Sequence, residues 1–191
     1  MEAALAYQEE YEKYELINGE VYMMARPSVR HWQVAHNIVN CFERRLIGRR
    51  CRAFGEVDVF FGEKDNFIPD AMIVCNPDIV EEDGIHGVPD LVVEVLSPST
   101  AKNDKFVKKA LYEKYGVKEY WIVDPANKTV EIYHLIDGKF EIDDLYVEYR
   151  KNEWARMTEK EKAEAAEHRT IKVSLYEDFM VEVAEVFRDV D

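Results

Sequence analysis

The sequence predicts an α/β (α+β) fold, with a mixed central sheet flanked by helices and an N-terminal β-hairpin. Three observations predict it. A helix-length stretch with apolar residues at steps of three and four precedes three extended apolar runs. Turn residues separate those runs. A later strand–helix–strand segment is a βαβ unit, whose strands should be parallel with a right-handed crossover. With 191 residues, the chain is expected to form one domain over residues 1–191.

The first elements are a hairpin and a long helix. Asn18-Gly19 lies between two short runs, and this dipeptide is the strongest short hairpin signal because both positions take positive φ. A helix is expected over residues 29–47, with Ser28 as its N-cap and Gly48 after its end. The apolar stripe expected to face the core contains Trp32, Ala35, Val39, Phe42 and Leu46.

Strands and a second helix follow. Strands are expected at residues 52–61, 67–75 and 91–96, and a helix at 101–115 with Ser99 or Thr100 as its cap. Residues 119–125 form the next buried strand. The remaining expectations are a hairpin around residues 136–138, a charged helix or loop at 150–168, an edge strand at 171–175 and a closing amphipathic helix at 176–187.

Composition limits the cellular setting and the partners. Apolar residues make up 47% of the chain, and no run is long and apolar enough to cross a membrane. The net charge of −14 argues against a non-specific nucleic-acid coat protein, although an enzyme with a local basic patch remains compatible with it. Three dispersed cysteines, Cys41, Cys51 and Cys75, fit free thiols in a reducing cytosol. We therefore expect a cytoplasmic protein.

Glu94 lies in the middle of an otherwise apolar run, where an ionised carboxylate is costly unless a cation or hydrogen bonds compensate it. Alternation along a strand puts Glu94 on the face of Val92, and Asp70 on the face of Met72 in the preceding strand. If these faces align, Asp70 and Glu94 converge. Converging carboxylates suit a hard cation such as Mg²⁺, which prefers oxygen ligands.

The helix after Glu94 is the most basic stretch of this acidic chain. A positive side chain near a metal could assist the attacking water or offset charge on a phosphate. The candidates are Lys102, Lys105, Lys108, Lys109 and Lys114.

Several stretches, taken together and in order, resemble the Uma family of restriction-endonuclease-like proteins within the PD-(D/E)XK nuclease superfamily. They are Pro69-Asp70, residues 89–100 (PDLVVEVLSPST), the spaced residues Asp104, Lys108 and Tyr112, and residues 116–125 (GVKEYWIVDP). Residues 14–20 and 28–33 also match its N-terminal pattern. The resemblance covers about residues 14–135, which leaves 136–191 as a C-terminal extension. It implies an αβββαβ core and hydrolysis of a phosphodiester assisted by Mg²⁺ or Mn²⁺.

The resemblance also implies roles for individual residues. Asp70 matches the motif aspartate and Glu94 the second acidic ligand, with the Val95 carbonyl as a further ligand. The superfamily pattern has lysine two positions after the glutamate, where this chain has Leu96. Lys108 matches the lysine that similar proteins supply from the following helix. Further candidates are Lys105 and Lys109 for the lysine role, Glu20 and His31 for a second metal or a phosphate, and Glu15 as a residue on an element that could reach the site.

The expected function is a metal-dependent endonuclease acting on DNA, with RNA not excluded and a homodimer left open. Two alternatives stand beside it. A nuclease-like scaffold without activity could serve as a binding or assembly module, which the overall acidity favours. The chain could also hydrolyse a small phosphoester with a metal, which needs no basic surface for nucleic acid.

Overall fold

The computed structural model describes residues 13–190. In chain order its strands are β1 (Tyr14–Ile17), β2 (Glu20–Met23), β3 (Arg52–Phe54), β4 (Val59–Phe60), β5 (Asn66–Phe67), β6 (Ala71–Val74), β7 (Ile85–His86), β8 (Leu91–Val95), β9 (Glu119–Asp124), β10 (Thr129–Ile136), β11 (Lys139–Val147), β12 (Thr170–Lys172) and β13 (Met180–Glu182). The α-helices are α1 (Val29–Leu46), α2 (Lys109–Tyr115), α3 (Lys151–Trp154), α4 (Glu159–Glu167) and α5 (Val183–Val186). A 3₁₀ turn spans Pro77–Ile79, and a π-helical segment, Asn103–Lys108, leads into α2. Among these described helices, none combines the length and apolarity that a membrane crossing requires.

The strands of the described residues form two larger sheets and a two-stranded one. The six-stranded sheet has the order β11-β10-β9-β8-β6-β3, and the five-stranded sheet has the order β2-β1-β5-β4-β7. β8 and β9 are parallel and are connected through the π-helical segment and α2, which confirms the predicted βαβ unit. The predicted hairpins are also present, as β1–β2 and β10–β11.

Each face of β6 and β8 packs against a different helix. Ala71 and Val93 share one core with α1 residues such as Phe42, whereas Met72 and Val92 share the opposite core with Tyr112 of α2. The central strands are therefore buried on both sides, as their apolar runs indicated. Glu94 lies on the α2 side, because it shares the face of Val92.

The first predicted helix is confirmed, with one correction to its apolar stripe. Ser28 caps α1 by accepting a hydrogen bond from the His31 amide at 3.2 Å. Ala35, Phe42 and Leu46 are buried as expected. Trp32 is 46% exposed and stacks on His36 instead of entering the core.

Two predicted strands are divided between the two larger sheets, so the expectation of continuous strands at residues 52–61 and 67–75 is wrong. The chain turns away after β3 at Gly55 and Glu56, and Glu56 takes a φ of 52°. Its amide bonds the carbonyl of Pro69 at 3.1 Å, which joins this bend to the one before β6. A Cβ on Gly55 would lie 2.8 Å from a Val39 methyl carbon, so this bend has no room for a larger residue.

The second and the last predicted helices also need correction. Among the described residues, no helix amide donates to the hydroxyl of Ser99 or Thr100; the hydroxyl and the carbonyl of Ser97 instead both accept from the Thr100 amide, each at 3.2 Å. The predicted helix at 176–187 is instead β13 followed by the short α5. Apolar residues there alternate as Phe179, Val181 and Val183, a period-two pattern that favours a strand over a helix.

The expectation of three free thiols is wrong for two of them. Cys51 and Cys75 form a disulfide, with their Cα atoms 3.9 Å apart, while Cys41 is free and buried. The two cysteines flank the antiparallel pair β3–β6, in which Arg52 lies opposite Val74. This register places Cys51 opposite Cys75 although 24 positions separate them along the chain. The cytosolic inference drawn from free thiols loses that support.

Candidate active site

Asp70 and Glu94 meet at the ends of two adjacent central strands. β6 and β8 are antiparallel with Ala71 opposite Val93, so the same register places Asp70 opposite Glu94. Asp70 Oδ2 accepts a hydrogen bond from the Val95 amide at 2.7 Å, and His31 Nε2 lies 3.4 Å from the same oxygen. Burial alone would lower the pKa of His31, but the Asp70 carboxylate outweighs burial and raises it.

Glu94 is a buried carboxyl held by two donors. Its Oε1 accepts hydrogen bonds from the Tyr112 hydroxyl at 2.7 Å and from Lys108 Nζ at 3.1 Å. Only 3% of Glu94 is exposed, and burial raises its pKa well above the ordinary value, against the opposing effect of the Lys108 ammonium. Without a further cation, part of the free-energy cost of burying this carboxylate in its ionised form is therefore uncompensated.

Lys108 is the central cation of a buried cluster. Its Nζ lies 2.7 Å from Glu15 Oε1, 3.1 Å from Glu94 Oε1 and 3.7 Å from Asp104 Oδ1. Burial alone would lower the pKa of Lys108, but these carboxylates outweigh it and raise the pKa above its usual value. Lys108 is therefore an ammonium ion at neutral pH.

The π-helical segment determines which lysine reaches the sheet. Asp104 and Lys108, four positions apart, are both buried toward Glu94. Lys105 instead pairs with Glu131 at 2.8 Å. Lys109 lies over the Tyr133 ring at 3.4 Å from its centroid. The two alternative lysines are thus engaged away from Asp70 and Glu94, while Lys108 contacts Glu94 directly. π-Helical turns occur frequently at functional sites.

Glu15 is a central member of this cluster, although the sequence indicated only that its strand could reach the site. Its Oε1 accepts hydrogen bonds from Lys108 and from the Ile68 amide at 2.9 Å. Glu15 thereby connects β1 to the segment that leads into Asp70. The sequence does contain a signal for the burial of Glu15. In a strand, residues two positions apart lie on the same face, so Glu15 shares the inward face of the apolar Ile17.

Asp104 is a further buried acid of the cluster, and the sequence indicated it only as part of the family pattern. It is 1% exposed, and its Oδ1 has no hydrogen-bond partner among the described residues. Burial raises the pKa of Asp104 to about 6, with Lys108 acting in the opposite direction.

These groups line one cavity of about 1740 Å³, called the cleft below. Its walls are the β2–α1 connection, the first turn of α1 and the turn between β8 and the π-helical segment. The site residues that line it are Glu15, His31, Asp70, Glu94, Val95, Asp104 and Lys108. Glu20 does not line it. That residue is exposed on β2 and accepts a hydrogen bond from the Tyr22 hydroxyl at 3.2 Å.

The donor atoms at Asp70 and Glu94 fit a hard divalent cation. Within residues 13–190, the hydrogen bonds to the carboxylates of Asp70 and Glu94 end on Oδ2 and Oε1, so Oδ1 and Oε2 are available there as ligands. The Val95 carbonyl would complete an all-oxygen set of the kind that Mg²⁺ prefers. Asp104 Oδ1 accepts no hydrogen bond from the described residues, and this observation and the raised pKa of Glu94 both indicate a local excess of buried negative charge. A divalent ion would compensate that excess.

A second acidic cluster lies outside the cleft. Ligand atoms of Glu81, Asp83 and His86 lie within 4.8 Å of one another, and all three residues are exposed. The His86 ring pairs with Asp83 at 2.9 Å. An exposed ion pair accounts for this arrangement without a metal.

Comparisons with known proteins agree with this fold. The model of the family Uma2, described as "Putative restriction endonuclease", matches residues 1–154. The uncharacterized protein slr1290 of Synechocystis sp. is 29% identical over 130 residues, covering 66% of this chain and 68% of that protein. The uncharacterized protein sll1609 of the same organism is 27% identical over 133 residues, covering 67% and 75%.

A solved structure extends the likeness to nearly the whole chain. The crystal structure of a putative nuclease belonging to DUF820 from Anabaena variabilis matches with a TM-score of 0.68 at 19% identity. The match covers 95% of this chain and 94% of that one. At this identity the likeness concerns the fold, and it confirms the predicted mixed α/β architecture.

Proposed function

The chain belongs to the Uma2 family of putative restriction endonucleases, as its residue pattern predicted, and we propose that it hydrolyses DNA phosphodiester bonds with a divalent metal ion. The observation that carries the proposal is the meeting of Asp70 and Glu94 at adjacent strand ends, with Lys108 bonded to Glu94. Two carboxylates and one cation are the groups that metal-assisted phosphoryl chemistry needs at one place.

In this proposal Asp70, Glu94 and the Val95 carbonyl hold Mg²⁺ or Mn²⁺. Such an ion would lower the pKa of a water ligand and stabilise negative charge on the phosphate. His31 and the Val95 amide orient Asp70 by contacting Oδ2. Tyr112 orients Glu94 in the same way through Oε1.

Lys108 acts as a fixed positive charge in this proposal and not as a general base. The surrounding carboxylates keep it protonated, so it has no free electron pair with which to accept a proton at neutral pH. Glu15 holds it from the other side at 2.7 Å. The ammonium is therefore positioned to orient a water molecule or to offset charge that develops on the phosphate.

The size of the cleft favours a polymer over a small phosphoester. Small-molecule sites typically measure about 300–1,000 Å³, whereas this cleft measures about 1740 Å³. A strand of nucleic acid would fill such a volume better than a single small ester.

Plasmid cleavage tests the proposal. Supercoiled plasmid would be incubated with Mg²⁺ or Mn²⁺ and with the native chain, Glu94→Gln, Lys108→Met or the control Glu43→Gln. Glu43 is exposed on α1 and does not line the cleft, so its variant should cleave as the native chain does. We expect Glu94→Gln and Lys108→Met to lose at least about a hundredfold in rate, the scale on which single electrostatic groups act.

Calorimetric titration with Mn²⁺ separates the proposed role of Glu94 in metal binding from the proposed role of Lys108 as a positive charge. Glu94→Gln should bind Mn²⁺ more weakly, whereas Lys108→Met should bind it at least as well, because it removes a positive charge. Equal cleavage by all four chains would refute the assignment. Absence of both cleavage and Mn²⁺ binding in the native chain would favour the binding-module alternative.

A further inference from the structure

The cleft contains two cations that form no ion pair with any carboxylate of the described residues. Among its basic residues, Lys13 pairs with Glu56 at 2.7 Å, and Lys108 is buried among three carboxylates. Arg26 and Arg30 also line the cleft, and within residues 13–190 neither has an ion-pair partner. In a chain with 39 acidic and 25 basic side chains, two neighbouring unpaired arginines at an acidic site are available for an external anion.

Arg26 and Arg30 lie at the mouth of the cleft. Both are exposed, and Arg30 directly precedes His31, whose ring contacts Asp70. Arg26 belongs to the connection that leads from β2 to Ser28, the N-cap of α1. The first turn of α1 contains no acidic residue, so the positive end of this 18-residue helix adds to the charge of the arginines.

The other polar segment at the cleft is satisfied internally. In the turn after β8, the Ser97 amide bonds the Thr100 hydroxyl, and the Thr100 amide bonds the Ser97 hydroxyl. The Ser99 hydroxyl also bonds that of Ser97, at 3.0 Å. These donors are engaged with one another, which leaves the two arginines as the stronger attraction for an anion.

From these observations we infer that Arg26 and Arg30 form a phosphate-binding rim that holds the nucleic-acid backbone beside the scissile bond. The inference rests on the proposed nuclease function and identifies how an acidic protein would hold a polyanion. Guanidinium groups bind phosphate oxygens in a bidentate manner and remain charged at any physiological pH. The rim binds and orients the nucleic-acid backbone, while hydrolysis of the phosphodiester bond takes place beside Asp70 and Glu94.

The salt dependence of DNA binding tests the rim. A fluorescein-labelled duplex would be titrated in EDTA, at several NaCl concentrations, with the native chain, Arg26→Gln, Arg30→Gln and the double variant. Arg156→Gln is the matched control, since Arg156 is exposed, has no ion pair among the described residues and does not line the cleft. Anisotropy measures affinity without cleavage. Plasmid cleavage in Mn²⁺ would be measured on the same chains.

Each lost phosphate contact should reduce the slope of log K against log [NaCl] by about 0.9, and hence by about 1.8 for the double variant. At about 0.1 M salt this corresponds to about eightfold weaker binding for each single variant and about sixtyfold for the double variant. In cleavage, KM should rise and kcat should stay at the native value. Arg156→Gln should match the native chain in both assays.

The outcomes separate the rim from the nuclease itself. If the native chain cleaves plasmid and the double variant keeps the native slope and affinity, the rim is refuted and the nuclease stands. An equal loss in Arg156→Gln would mean general charge attraction and would also refute the rim. If the native chain neither binds the duplex nor cleaves plasmid, both proposals fail.

Discussion

Replacing Lys108 with methionine removes the ammonium that contacts three buried carboxylates and keeps the length of the side chain. At an effective dielectric constant of about 20, each of its contacts at 2.7, 3.1 and 3.7 Å contributes about 4–6 kcal/mol of attraction. The cost of burying the ammonium offsets much of this attraction. Breaking a buried pair typically costs about 3–5 kcal/mol, and we expect that loss in the free energy of unfolding at pH 8.

The loss should depend on pH. Without the ammonium, the folded-state pKa values of Glu94 and Asp104 rise further above their ordinary values, so the folded variant binds more protons than the unfolded chain above about pH 4. Its free energy of unfolding therefore falls as the pH rises. The deficit relative to the native chain should be smaller at pH 5 than at pH 8, by about 1.4 kcal/mol for each unit of pKa increase. Lys108 itself is protonated at both pH values, so its own titration does not contribute.

Urea unfolding of the native chain and Lys108→Met at pH 5 and pH 8, followed by circular dichroism, measures both quantities. Lys105→Met is a suitable control, because the pair between Lys105 and Glu131 is partly exposed and should contribute less than about 1 kcal/mol. An equal deficit for Lys108→Met at both pH values would refute the electrostatic reasoning and attribute the loss to packing.

Three further predictions concern other parts of the cluster and the fold. Asp104→Asn should remove a pH dependence of stability: the pKa of Asp104 rises from 3.8 to about 6 on folding, so native stability falls by about 3 kcal/mol between pH 4 and pH 7. If this reasoning is wrong, the urea midpoints of the native chain and of Asp104→Asn will change with pH to the same extent. Tyr112→Phe should lower stability by about 1–3 kcal/mol, because it removes a buried donor to Glu94, and an unchanged urea midpoint would contradict this. Reducing the Cys51–Cys75 disulfide with dithiothreitol should lower stability by about 3 kcal/mol, as expected for a separation of 24 residues; identical urea curves with and without reductant would contradict it.

If the proposed function holds, the acidic cluster is a site whose chemistry opposes the stability of the fold. Glu15, Glu94 and Asp104 are each at most 5% exposed, and one lysine serves all three. A core of apolar residues would avoid this cost, since buried ion pairs are often replaceable without loss of stability. Retention of the charges is explained if a metal ion and a phosphate share the cleft in the working state.

Local patterns predicted the elements whose signals are complete within a few residues. The Asn18-Gly19 hairpin, the Ser28-capped helix α1, and the strands β8 and β9 were predicted because turn chemistry, capping and apolar periodicity act between near neighbours. Alternation also predicted that Asp70 and Glu94 would share a face, and the β6–β8 register agrees with that prediction.

The sequence by itself determined the type of most central elements, the burial of Glu94 and the family resemblance, because these depend on residue identity and short spacing. Only the tertiary structure decided which of the helix lysines reaches Glu94, since the π-helical turn and the contact with Glu15 on a distant strand direct Lys108 inward. It also decided the division of the strands between two sheets and the pairing of Cys51 with Cys75. Strand register joins residues that are far apart in the chain, and no local pattern encodes that register.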